Sequence, residues 1–168
     1  LLIEAGVDLN AQNEYGNTAL TLALYANNLE AMKLLIEAGV DLNAKNKYGT
    51  TALTLAIHKN NLEVTKLLVE AGAKLNTEQW NLIEATEKND LEVMKLLIKA
   101  GADLNAHDKD KKTVLIRATE KNDLEVMKLL IKAGADLNAH DKDKKTVLIR
   151  ATEKNDLEVM KLLIKAGA

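Results

Sequence analysis

The chain has 168 residues, with 23 basic and 25 acidic side chains and a formal net charge of −2. That balance lacks the basic footprint of a nucleic-acid binder. The absence of cysteine excludes disulfides, thiolate metal sites and cysteine nucleophiles. Serine is absent as well, which removes a serine nucleophile. No apolar run approaches the ~18 residues of a membrane span, and the first residues lack the pattern of a signal peptide.

The glycines supply a ruler. Gly6, Gly39, Gly72, Gly101, Gly134 and Gly167 lie 33, 33, 29, 33 and 33 residues apart, and residues 103–135 and 136–168 are identical. Self-similarity at such a period is the mark of a repeat array. In chain order the period gives a partial repeat at 1–12, complete repeats at 13–45 and 46–78, a shortened one at 79–107, a complete one at 108–140 and a truncated one at 141–168. Leu1–Leu2–Ile3 reads as the end of a second helix, and Lys165–Ala166–Gly167–Ala168 stops as a helix closes. Neither end has the polar outer face of a capping repeat, so the expectation is a window from a longer array.

The repeat at 108–140 can be parsed residue by residue. Thr113 is a suitable N-cap, because its hydroxyl can accept a first-turn backbone N–H. A short helix over Val114–Lys121 then presents Leu115, Ile116 and Ala118 on an apolar face. Asn122 tolerates a left-handed backbone and ends it. A second helix over Leu124–Ala133 is apolar on most sides and needs cover from more than one direction. Gly134 closes it, and Asp136–Asp141 reads as an extended turn. Two helices of roughly ten residues are not stable alone in water. Each repeat must therefore stack on its neighbours, giving an all-α solenoid stabilised by contacts between them.

These features resemble the ankyrin-repeat family. Its T-P-L-H-x-A signature appears as TALTLA at 18–23 and 51–56 and as TVLIRA at 113–118 and 146–151. The tail of each unit appears as GVDLNA at 6–11 and 39–44, GAKLNT at 72–77, and GADLNA at 101–106 and 134–139. The resemblance covers the whole chain. It implies an array of about five units with a row of β-hairpin fingers, first helices lining a concave groove, and second helices covering the back. It also implies a monomeric, intracellular protein-interaction module, with targeting signals able to lie outside the fragment.

The chain departs from the family pattern in four places. The signature proline is Ala19, Ala52, Val114 or Val147, which loses some pre-organisation. The signature histidine is Thr21, Thr54, Ile116 or Ile149, so its hydrogen bonds between repeats are missing and packing is expected to substitute. The finger glycine is kept at Gly16 and Gly49 but is Lys111 and Lys144 later. Those two fingers need another turn, or accept strain. The 29-residue interval removes four residues around Thr77, Glu78, Gln79 and Trp80. It reads either as a clipped loop in one array or as a seam between two arrays.

Function is expected on the exposed finger tips and first helices. The candidate protein-binding residues are Tyr15, Asn17, Tyr25, Lys47, Tyr48, His58, Lys59, Trp80 and Lys88. Tyr and Trp commonly anchor interfaces, and the three tyrosines all fall in this set. A finger-tip Tyr can alternatively pack along the next finger, and Trp80 can fill the gap left by the shortened one. The charged tips HDKDKK at 107–112 and 140–145 read as a solvated face, or as a charged rim that steers a partner. Packed helices stand about 8–10 Å apart, which makes it hard for His107 and His140 to share one metal ion. No metal, cofactor or catalytic site is expected, because no phosphate loop or H-E-x-x-H is present and the carboxylates recur with the period. The alternatives to partner binding are a structural spacer or an engineered scaffold. The exact duplication fits either recent natural duplication or construction.

Overall fold

The protein is described by a computed structural model covering residues 6–75, 82–87 and 90–168. Among these residues the helices run, in order, α1 (Ala19–Tyr25), α2 (Leu29–Glu37), α3 (Ala52–His58), α4 (Leu62–Glu70), α5 (Leu82–Glu87), α6 (Leu91–Lys99), α7 (Val114–Lys121), α8 (Leu124–Ala133), α9 (Val147–Glu153) and α10 (Leu157–Ala166). The chain divides into two compact blocks. The N-terminal block carries α1–α4. The C-terminal block carries α5, most of α6, and α7–α10.

Local chemistry sets each helix boundary. Thr18, Thr51, Thr113 and Thr146 cap the first helices, each accepting the N–H three residues on. Asn28, Asn61, Asp123 and Asp156 cap the second helices in the same way. Between the two helices of a repeat the chain reverses through a left-handed asparagine: Asn27, Asn60, Asn122 or Asn155, with φ between 52° and 57°. Asparagine enters that region more readily than other non-glycine residues.

Within each block the apolar faces meet. In the N-terminal block α1 packs on α2, α3 on α4, and α1 on α3, burying Leu20, Leu24, Met32, Leu53 and Leu68. In the C-terminal block α7 packs on α8 and between α5 and α9, burying Leu115, Ile116, Met127 and Leu130. The two identical repeats show what stacking supplies. Ile116, with a neighbour on each side, is 0% exposed; Ile149, at the same place in the last repeat, is 44% exposed.

Packing is not the whole link between repeats. Asp8, Asp41, Asp103 and Asp136 each accept the N–H two residues on, folding the tail into a tight turn. The asparagines of those turns then reach across. Asn10, Asn43 and Asn105 accept the N–H groups of Asp41, Lys74 and Asp136 at 2.8–2.9 Å. This asparagine ladder supplies hydrogen bonds between repeats where the signature histidine is missing.

The fingers are shorter than the hairpins expected. Each is a five-residue turn closed by two backbone bonds: one across its ends, Asn13–Asn17, Asn46–Thr50, Asp108–Lys112 or Asp141–Lys145, at 3.0–3.1 Å, and one from the N–H of Gly16, Gly49, Lys111 or Lys144 back to the first residue's carbonyl at 2.9–3.0 Å. Among the described residues the only bridge is an isolated one, His107 with Thr113. Lys111 and Lys144 adopt φ of 57° and 58°, so those fingers keep the left-handed turn without glycine. Lys111→Gly and Lys144→Gly are each expected to stabilise the protein by about 0.5–1 kcal/mol. Urea unfolding followed by circular dichroism checks this, and a destabilised Gly variant contradicts it.

No helix among the described residues is long and apolar enough to cross a membrane. The expected end of a helix at Leu1–Leu2–Ile3 and the shortened finger at Thr77–Trp80 lie outside the described residues.

Candidate functional site

In the N-terminal block the sequence Asn-X-Tyr-Gly builds both fingers. Asn13 Oδ1 accepts the N–H groups of Tyr15 and Asn17 at 2.9 and 3.0 Å, and Asn46 Oδ1 accepts those of Tyr48 and Thr50 at 3.0 and 2.9 Å. Satisfying two donors with one side chain holds the tip rigid. The fingers then dock. Lys47 N–H donates to the Tyr15 carbonyl at 3.2 Å, and Asn46 Nδ2 donates to Asn17 Oδ1 at 3.4 Å. A Cβ on Gly16 would stand 2.7 Å from Lys47 N, so the close approach requires glycine there.

Docking leaves the aromatic rings outside. Tyr15, Tyr25 and Tyr48 are 53%, 48% and 73% exposed in a protein whose core is aliphatic. Tyr25, Tyr48 and His58, with Asn46, Thr50, Thr54 and Leu55, line an open cleft of about 440 Å³. Lys59 Nζ lies 5.4 Å from the centre of the Tyr25 ring, within cation–π range. Of the candidate residues, then, Tyr25, Tyr48 and His58 line one cleft, and Lys59 stands at its edge. Lys47 sits between the lining residues Asn46 and Tyr48. Tyr15 is exposed but does not line the cleft, and Asn17 is engaged by Asn46. Trp80 and Lys88 lie outside the described residues.

The C-terminal block carries something different in the same positions. The chain's two arginines, Arg117 and Arg150, reach back to the finger aspartates of their own repeats. Arg117 Nε donates to Asp108 Oδ2 at 2.9 Å and Arg150 Nε to Asp141 Oδ2 at 2.8 Å; each Nη2 contacts the same oxygen. The other aspartate oxygen takes two finger N–H groups, from Asp110 and Lys112 or from Asp143 and Lys145. Glu120 links the repeats, accepting from Lys112 at 2.7 Å and from Arg150 Nη1 at 2.9 Å. Lys145 pairs with Glu153, and Lys142 with Asp110 on the neighbouring finger.

The HDKDKK tips keep a solvated face at His107, Lys109, Lys111, His140, Lys142, Asp143 and Lys144, but their first aspartates, Asp108 and Asp141, do not belong to it: Asp141 is 1% exposed and belongs to a network. Burial pushes its carboxyl up, but the Lys145 N–H and the Arg150 guanidinium outweigh that and hold it below its ordinary value. Asp108 behaves alike: burial raises it, while the Lys112 N–H and Arg117 bring it down overall. One signal in the sequence pointed this way, namely arginine where Leu22 and Leu55 stand in the earlier first helices, each nine residues after an aspartate. His107 and His140 lie with Nδ1 3.1 Å from the Asp108 and Asp141 carbonyls. Among the described residues no group of three or more His, Cys, Asp or Glu side chains is placed to hold a metal ion.

Capped helix pairs, left-handed asparagine reversals and docked fingers define a helical repeat array with an exposed finger-and-helix surface. The chain belongs to the ankyrin-repeat family: the family model of ankyrin repeats (3 copies) matches residues 1–79 and 82–168. It is similar to the ankyrin repeat domain ABAYE2397 of Acinetobacter baumannii AYE, with 34% identity, coverage of 96% of this chain and 87% of that one, and a TM-score of 0.67. It is also similar to the ankyrin repeat domain of Bcl-3, a member of the IkappaB family, at 29% identity, 99% and 79% coverage, and a TM-score of 0.64. A third similar chain comes from the complex of the Bdellovibrio bacteriovorus predatory endopeptidase Bd0816 with immunity protein Bd3460, at 30% identity, 98% and 89% coverage, and a TM-score of 0.61. No curated protein matches the chain.

Proposed function

We propose that this chain is a protein-interaction module that captures a partner on the first helices and fingers of its N-terminal block. Ankyrin repeats are in general protein–protein interaction modules, and the similar structures include a chain from a complex of two proteins. The observation that carries the reading is the tyrosine cleft. Three tyrosines stand outside a core that has no need of them, and two of the three line one opening. Exposed apolar rings next to polar groups are the usual anchors of interfaces. In this reading Tyr15, Tyr25, Tyr48 and His58 make the contact, and Lys47 and Lys59 flank it. The module works as a non-catalytic, intracellular monomer built as one array over 1–168, with a partial repeat at 1–12, repeats at 13–45, 46–78, 79–107 (shortened) and 108–140, and a truncated one at 141–168, and with no cofactor, metal or nucleic acid.

The test is a pull-down from cell lysate with the parent chain and with the combined Tyr15→Ala, Tyr25→Ala, Tyr48→Ala variant. The variant is expected to lose partner capture by about tenfold or more while its circular dichroism stays unchanged. Equal capture by both chains contradicts the reading and favours a structural spacer.

A further inference from the structure

The two blocks use equivalent positions in opposite ways. By the period, Tyr48, Leu55 and His58 of the N-terminal block correspond to Asp110, Arg117 and Glu120 of the C-terminal block. In the C-terminal block those positions are consumed by ion pairs within the block. In the N-terminal block they form the cleft.

The cleft has a definite chemistry. Its polar lining is largely occupied by the fold: Asn46 holds the finger turn, and the Thr54 hydroxyl lies 3.0 Å from that of Thr51. What remains for a visitor is aromatic and aliphatic surface at Tyr25, Tyr48 and Leu55, with cations beside it. Lys59 is held over the Tyr25 ring, and Lys47 is exposed on the finger that forms one wall. Among the described residues no salt bridge engages Lys45, Lys47 or Lys59, and no carboxylate lines the cleft. Among the described residues the acidic groups of the block sit elsewhere: Glu30, Glu37, Glu63 and Glu70 lie on the second helices, Asp8 and Asp41 fold the tail turns, and Glu14 stands on the first finger.

An apolar opening edged by lysines complements one kind of partner. We propose that the occupant of this cleft is an acidic protein segment carrying an apolar or aromatic anchor residue, a proposal that rests on the partner-binding reading above. The anchor fills the space between the Tyr25 and Tyr48 rings, and neighbouring carboxylates face Lys47 and Lys59. Complementarity of this kind sets partner choice and encounter rate.

The experiment uses the full chain and a phage-displayed library of random dodecapeptides, with recovered peptides measured by fluorescence anisotropy. The expected peptides are enriched in Asp and Glu next to Leu, Phe or Trp. Their binding is expected to weaken about tenfold in a Lys47→Glu, Lys59→Glu double variant, and severalfold between about 50 and about 500 mM salt. Lys109→Glu, the C-terminal counterpart of Lys47→Glu, is expected to leave binding unchanged. Circular dichroism confirms that each variant is folded. Basic or uncharged peptides that lose binding in Tyr25→Ala, Tyr48→Ala overturn the acidic assignment and leave the cleft reading standing. Peptides that bind the tyrosine variant undiminished, or a library that yields none, overturn both.

Discussion

Replacing Ile116 by alanine is expected to cost about 2–4 kcal/mol, and replacing Ile149 by alanine less than about 1 kcal/mol. The two residues occupy the same position in identical 33-residue sequences, so intrinsic propensity and local contacts are matched. They differ in what stands beside them. Ile116 is fully buried on α7, which packs between α5 and α9; Ile149 on α9 is 44% exposed. Alanine at the first site leaves a cavity that the surrounding helices cannot fully close, whereas solvent fills the space at the second. Urea unfolding of the two variants followed by circular dichroism measures the difference. Equal losses would mean that each repeat carries its own stability, contrary to the stacking account.

The second large effect is expected at Arg150. Its guanidinium is mostly buried and serves the Asp141 carboxylate on one side and Glu120 of the preceding repeat on the other. Arg150→Ala leaves Asp141 charged, buried and short of its main counter-ion, at a cost of about 3 kcal/mol. Asp141→Asn separates charge from shape. Asn13 and Asn46 show that an amide oxygen can hold the same two finger N–H groups, so the turn should survive. The pH dependence follows from the lowered carboxyls. A folded-state pKa below the unfolded value of about 3.9 contributes stability that is present above that value and lost as pH falls through the folded one. Asp108 and Asp141 are both lowered. Thermal melts of the parent should therefore drop steeply as pH falls below about 4, and an Asp108→Asn, Asp141→Asn double variant should show a shallower drop. Parallel curves for the two proteins would contradict the assigned role of the network.

The fold was legible because its determinants are local and periodic. Thr113, Asn122 and Gly134 carry their conformational preferences wherever they stand, and the helices over Val114–Lys121 and Leu124–Ala133 begin and end where those residues predict. Tyr15 and Tyr48 were legible as equivalent finger-tip positions 33 residues apart, but with packing along the next finger as an alternative; their exposures of 53% and 73% decide between the two. The ion network was not legible. Asp141 and Arg150 are nine residues apart, and Glu120 and Arg150 lie in different repeats. Only the folded backbone shows that these groups meet. Lys111 and Lys144 were legible as a problem, but not in its solution, because sequence does not say whether a lysine will accept a left-handed turn. Of the candidate residues, Tyr25, Tyr48 and His58 line one cleft with Lys59 over the Tyr25 ring, whereas Tyr15 does not line it and Asn17 serves the finger contact; sequence spacing does not say which of them converge.

The sharpest examination of the claim that the N-terminal block binds while the C-terminal block satisfies itself is nuclear magnetic resonance. A peptide recovered from the library would be titrated into the isotope-labelled full chain, and backbone amide shifts recorded. The account predicts that the largest changes cluster at Tyr25, at Asn46–Thr50 and at Thr54–Lys59, with little movement from Asp108 to Lys121. Changes concentrated on the Asp108–Lys121 segment, or on the second helices, would contradict it.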